Sequence, residues 1–147
     1  MDVTLREATP NDANFLYRLH RAAMQAYVIQ TWGHWDEAWQ SQQFQERFDP
    51  HACQVVVTGS EDIGVIKVAR RTTDIFLTSI ELLPNWQGQG IGTYLIRALM
   101  TEARAQGVPV TLQVLKVNPA RKLYKRLGFS ITGETTTHYL MSTGLTE

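Results

Sequence analysis

A chain of 147 residues whose 14 basic residues balance 14 acidic ones offers no compositional case for nucleic acid or an anionic membrane surface as partner. Its hydrophobic content of 44% suits one globular domain with a substantial core and excludes a disordered or fibrous chain. No segment approaches the apolar length of a membrane span, and Met1-Asp2-Val3-Thr4 lacks the basic and apolar regions of a signal peptide, so a cytoplasmic protein is expected.

In chain order, Val3 to Arg6 alternates like a short strand, and Thr9-Pro10-Asn11-Asp12 reads as a helix start with an N-cap, proline at the first position and acid in the first turn. That helix is predicted to run to about Tyr27. A second helical stretch from Gly33 to Phe48 ends at Asp49-Pro50, with Trp32, Trp35 and Trp39 at helical spacing around its start. Val55 to Val57, Ile63 to Val68 and Ile75 to Leu83 are β-rich and separated by Gly59-Ser60-Glu61-Asp62 and Thr72-Thr73-Asp74, which predicts an antiparallel meander. Cys53, the single cysteine, opens the apolar run to Val57 and is expected to be a buried structural thiol.

The meander ends at Gln87-Gly88-Gln89-Gly90-Ile91-Gly92-Thr93, beyond which Ile91, Leu95, Ala98, Leu99 and Ala103 form one apolar helical face that stops at Gly107 and Pro109. Glycines in such a turn permit positive φ and bring bare backbone N–H groups to the positive end of a helix, a cradle for pyrophosphate. A purely structural glycine turn is the competing reading. A dinucleotide fingerprint requires glycine at Thr93 or Leu95, and a P-loop requires lysine after Gly92, so neither fits. Val110 to Val114 then reads as a strand, Asn118-Pro119 as the cap of a short helix through Leu127, and Phe129 to Gly133 and Thr136 to Met141 as two last strands.

The spacing QxxGxG at Gln87, Gly90 and Gly92, preceded by Ile80-Glu81-Leu82-Leu83-Pro84, resembles the acetyl-CoA loop of the GNAT acetyltransferases. The element order β, α, α, β, β, β, α, β, α, β, β is similar to theirs along nearly the whole chain. The resemblance implies an α/β GNAT acyl-CoA N-acyltransferase fold, with a central, mostly antiparallel mixed sheet flanked by helices, and acetyl-CoA as cosubstrate. It implies cofactor contacts from Ile80, Glu81, Leu82, Gly88, Gln89, Gly90, Ile91, Gly92, Thr93 and Asn118. It also implies a strand splayed at Ile80 to Leu82, whose free backbone near Leu82 stabilises an oxyanion. Asn118 and Tyr124, within a tail of the form LYxxLGF, look like the family's second signature, although members commonly have one more residue between the two. Asn118 reads equally as a helix cap.

Tyr124, a phenol with an ordinary pKa near ~10, suits the return of a proton to the departing thiolate. Members that acetylate protein N-termini carry glutamate where this chain has Gln113, and glutamine accepts no proton. Glu81 is the remaining carboxylate candidate for the base, against a solvated strand residue, a water-mediated route or an amine that arrives neutral. Trp32, Trp35, Asp36 and Glu37 lie where the resemblance places the acceptor. Indoles and acids suit a cationic amine, whereas tryptophans at helical spacing are more often core. Arg121, Lys122, Lys125 and Arg126 read as a solvated face or as contacts to the CoA phosphates. His20, His34, His51 and His138 have no metal spacing, and no metal is expected. The expected activity is N-acetyl transfer by direct attack to a small-molecule or protein amine, with a noncatalytic acyl-CoA binding module as alternative. Oligomeric state is left open, a homodimer included.

Overall fold

The structure is a computed structural model that describes residues 1–144. It runs β1 (Thr4–Glu7), α1 (Ala13–Trp32), α2 (Glu37–Arg47), β2 (Cys53–Thr58), β3 (Glu61–Arg70), β4 (Ile75–Leu82), α3 (Ile91–Gln106), β5 (Val110–Leu115), α4 (Ala120–Arg126), β6 (Phe129–Glu134) and β7 (His138–Thr143). These strands form one seven-stranded sheet in the order β1-β2-β3-β4-β5-β7-β6. Every pairing is antiparallel except that of β4 with β5, because α3 carries the chain back across the sheet between them.

The alternation of each strand sends its apolar residues to two cores. On one face Val56, Ile66 and Leu77 pack with Ile91, Leu95, Ile96, Leu99 and Ala103 of α3 and Tyr124 of α4. On the other, Cys53, Val55 and Val65 pack with Leu16 and Leu19 of α1, and Phe44 and Phe48 border them. Cys53 is buried as expected, its thiol pushed up by that burial.

The helical boundaries differ from the sequence reading. Pro10–Asp12 is a separate 3-10 turn, in which the Thr9 N–H donates to the Asp12 carboxylate at 2.8 Å. Helix α1 continues past Tyr27 to Trp32 and stops only at Gly33, whose φ of 89° lets its N–H donate back to Ile29 O at 2.7 Å. That is the left-handed termination glycine favours. Helix α2 starts four residues later than Gly33, with Asp36 as N-cap accepting from the Trp39 N–H at 3.0 Å.

The parallel pairing of β4 with β5 covers only Ile75↔Val110, Phe76↔Thr111 and Leu77↔Leu112. Buried Asp74 pins this end, accepting from Arg71 Nε and Nη2 at 2.7 Å each and from Thr111 Oγ1 at 2.6 Å. Immediately beyond Leu77 the register of β4 with β3 shifts, so that Leu77 opposes Val68 and Ser79 opposes Lys67, leaving Thr78 as a bulge. A bulge bends its strand, and from this point β4 and β5 part.

Candidate active site

The gap between the parted strands is where backbone groups become available. The Leu83 N–H donates to Ile63 O of β3 at 2.9 Å. Successive residues of a strand direct their backbone groups to opposite sides, so those of Ile80 and Leu82 face the gap. The Leu82 carbonyl accepts there from Gln87 Nε2 at 2.9 Å, which ties the end of β4 to the glycine loop. The splaying expected at Ile80 to Leu82 is thus present, and Gln87 locks it.

The loop delivers the chain into α3 through Gly88 and Gly90, with φ of 74° and 84°. A side chain at Gly88 would meet nothing within 4 Å, and one at Gly90 only Met1 Cε at 3.6 Å; both positions are exposed. Gly90 is the N-cap of α3 and no side chain caps that end. The first intrahelical bond there runs from the Tyr94 N–H to Gly90 O at 3.0 Å, so the N–H groups of Ile91, Gly92 and Thr93 have no helical acceptor. Three such donors at the positive end of a 16-residue helix match a pyrophosphate in charge and hydrogen bonding. The residues therefore fit the diphosphate of coenzyme A. Gln89 Nε2 donates to Asn85 O at 2.8 Å and holds the loop closed.

Helix α4 lies against this first turn, since a methyl at Gly92 would sit 3.8 Å from Leu123 Cδ2. Next along it, Tyr124 is 7% exposed and packs its ring at 5.7 Å on Phe129. Burial pushes its phenol up to about 12, which keeps the proton on it throughout the physiological range. The N-cap of α4 is Pro119 rather than Asn118, but Asn118 closes the turn into the helix, its Oδ1 accepting from the Ala120 N–H at 2.9 Å. Of the four cations on α4, Lys122, Lys125 and Arg126 are exposed; Arg121 is half-buried, and its Nε is enclosed without a hydrogen-bond partner.

The opposite face of β4 holds a second group. Glu81 is 8% exposed, not a solvated strand residue, and its carboxylate lies 2.8 Å from His20 Nδ1 of α1. The His20 ring lies against those of Trp35, at 6.1 Å, and Phe44, at 6.3 Å. Alongside, Glu37 accepts from Tyr17 OH, Arg21 Nη1 and, at 3.2 Å, Trp35 Nε1. The Tyr17 hydrogen bond, with those of Trp35 and Arg21, holds the Glu37 carboxyl below the usual range, while burial and then Glu37 push the Tyr17 phenol up to about 12.

Of the four acceptor residues suggested by sequence, Trp35 and Glu37 join this cluster. Asp36 serves instead as the cap of α2, and Trp32 is 51% exposed at the end of α1. Trp39, at 54% exposed, is not core either. Sequence reading missed His20 and Tyr17; the signal was the run Tyr17, His20, Arg21 at i, i+3 and i+4, which places three polar groups on one helical face. Among the described residues no group of His, Cys, Asp and Glu is arranged to hold a metal ion, and no helix is long and apolar enough to cross a membrane.

Comparison with known proteins agrees with this fold. The PaiA N-acetyltransferase of Thermoplasma acidophilum, solved in complex with coenzyme A, superposes with a TM-score of 0.76 at 16% identity over 97% of this chain and 99% of that one. The ribosomal-protein-S18-alanine N-acetyltransferase of Escherichia coli gives a TM-score of 0.69 at 19% identity over 99% and 95%. At these identities the likeness is one of fold. An L-methionine sulfoximine/L-methionine sulfone acetyltransferase of Pseudomonas aeruginosa is 36% identical over 58 residues, which is 38% of this chain and 34%, about a third, of that protein's length. The sequence model of the acetyltransferase (GNAT) family matches residues 14–129, from the first turn of α1 to the start of β6, and the chain belongs to that family.

Proposed function

We propose that the protein is a cytoplasmic N-acetyltransferase that transfers the acetyl group of acetyl-CoA directly to an amine. The observation that carries this reading is the juxtaposition of the β4–β5 gap with the uncapped start of α3. Free strand backbone and free helical N–H groups stand in succession there, as an extended thioester ending in a diphosphate requires. Acetyl-CoA supplies the activated acetyl group; the remaining chemistry belongs to the chain. The N–H groups of Ile91, Gly92 and Thr93 hold the diphosphate, with Gly88, Gln89 and Gly90 shaping the loop around it. Backbone groups of Ile80 and Leu82 align the arm, Asn118 contributes its amide nitrogen, and the Leu82 N–H stabilises charge on the carbonyl oxygen. Tyr124, protonated and set behind the gap, gives its proton to the departing sulfur. The acceptor approaches from the α1 and α2 side, past Trp35 and Glu37.

Gln113, exposed on β5 in the place of a glutamate base, favours a second reading, a noncatalytic acyl-CoA binding module, since fold does not settle activity. A thiol-release assay with acetyl-CoA decides. Amino acids and their sulfoximine or sulfone analogues form one arm of the amine panel, on the lead of the Pseudomonas relative, and peptides with a free N-terminal alanine the other. Amine-dependent release of CoA is expected. Acetyl-CoA binding without release against any amine would favour the binding module, and failure to bind acetyl-CoA would refute both readings.

A further inference from the structure

The buried pair on the acceptor face supplies what Gln113 lacks. Glu81 lies between Ile80 and Leu82, the residues whose backbone lines the gap, yet its own side chain turns to the opposite face of β4 from Tyr124. A lone carboxylate enclosed there would be costly. Among the described residues its one hydrogen-bond and ion-pair partner is His20, at 2.8 Å. Lys67, diagonal to Glu81 across β3, directs its Nζ to the Phe44 ring at 5.9 Å instead. His20 is 33% exposed, so the imidazole reaches from the buried Glu81 carboxyl group to solvent. A carboxylate only accepts, so the hydrogen of this contact is on Nδ1, and in the neutral imidazole Nε2 then keeps a lone pair.

We infer that His20 is the catalytic proton acceptor for the attacking amine and that Glu81 is its positioning residue, an inference that rests on the transferase reading. As the amine nitrogen forms its bond to the acetyl carbon, Nε2 takes the proton from nitrogen. The C–S bond breaks with its electron pair leaving on sulfur, and sulfur takes the phenol proton of Tyr124. The imidazolium then releases a proton to solvent and the phenolate recovers one, so that amine and thioester give amide and thiol. Base and acid thus work from opposite faces of the sheet. The Glu81 carboxylate fixes the tautomer and stabilises the imidazolium, as a buried acid does for histidine in the serine hydrolases. The rings of Trp35 and Phe44 lie against the imidazole.

The test uses the purified chain and the best amine from the thiol-release panel. His20→Gln is expected to lower kcat by roughly a hundredfold while acetyl-CoA affinity, read by calorimetry, stays at the wild-type value. Glu81→Gln, which keeps a neutral hydrogen-bond partner but no charge, is expected to lower kcat with little change in KM for acetyl-CoA. Added imidazole should restore turnover to His20→Ala in proportion to its concentration, a response that a packing role would not produce. Should His20→Ala fail to fold with Glu81 left unpaired, the His20→Gln turnover carries the test. Wild-type kcat in His20→Gln overturns the inference and leaves the transferase reading intact. Absence of amine-dependent thiol release in the wild-type protein overturns both.

Discussion

The two ends of α3 provide a matched test of the glycine cradle. Gly90 begins the helix with φ of 84° and Gly107 ends it with φ of 69°; both backbones are left-handed. A valine at either position carries a side chain in that region, at a cost of about 1 to 2 kcal/mol. For a chain of this size that corresponds to a fall in Tm of roughly 2 to 8 °C. Neither position is crowded, since a methyl at Gly107 meets nothing within 4 Å and one at Gly90 only Met1 Cε at 3.6 Å. The two variants should therefore melt alike. Their ligand binding should not be alike. Only Gly90→Val places branched carbons over the N–H groups of Ile91, Gly92 and Thr93. Displacing the diphosphate from one of these charge-assisted donors costs about 1.5 to 3 kcal/mol, or roughly tenfold to a hundredfold in affinity. Calorimetric titration with acetyl-CoA, beside thermal melts of both proteins, makes the comparison. Equal affinities in the two variants, at equal Tm, would refute the assignment of the cradle.

The other expectations use the same readouts. Tyr124→Phe keeps the ring contact with Phe129 and should leave acetyl-CoA affinity unchanged while turnover falls by roughly a hundredfold; wild-type kcat would make Tyr124 a packing residue. Asp36→Ala removes the α2 cap and should cost about 1 kcal/mol of stability without altering acceptor KM. Glu37→Gln loosens Trp35, Tyr17 and Arg21 together and should raise acceptor KM, so the opposite pattern in steady-state kinetics would move the acceptor contact to the cap. Asp12, hydrogen-bonded to Arg6, has its carboxyl lowered from 3.8 to about 2. A depressed folded-state value means its contribution is complete above about pH 4 and is lost as pH falls through about 2. Melts from pH 5 downward should then be flatter in Asp12→Asn than in the wild-type protein, and parallel curves would deny Asp12 that role.

What could be read from the sequence, and what could not, follows from how each part of the site is made. The glycine turn was legible because glycine acts where it stands: QxxGxG between a strand and a helix already points to the positive φ of Gly90 and to the uncapped N–H groups that follow it, whatever packs elsewhere. The meander was legible for a related reason, since alternation and turn residues are local. Helix boundaries were not read correctly around Trp32, Trp35 and Trp39. Their spacing suits one continuous helix, but Gly33 ends α1 just after Trp32, Trp35 lies in the connecting loop and only Trp39 is in α2, while Leu16 and Leu19 meet the apolar demand of α1 against the sheet. Spacing states which residues share a face and is silent on which face meets the core.

Glu81 shows the same limit more sharply. On its own strand it is a polar residue near the C-terminal end, and only α1 crossing that face turns it from a solvated carboxyl group into a buried one. Its partner His20 stands 61 positions away in the chain, beyond the reach of any local pattern. Local signals thus delimit a site built of backbone, whereas one built of side chains from separate elements emerges only with the fold. In this protein the glycine turn that we propose for the diphosphate is of the first kind. The acceptor side that we propose is of the second, which is why Gln113, read alone, offered no base, whereas the pairing of His20 with buried Glu81 emerged only with the fold.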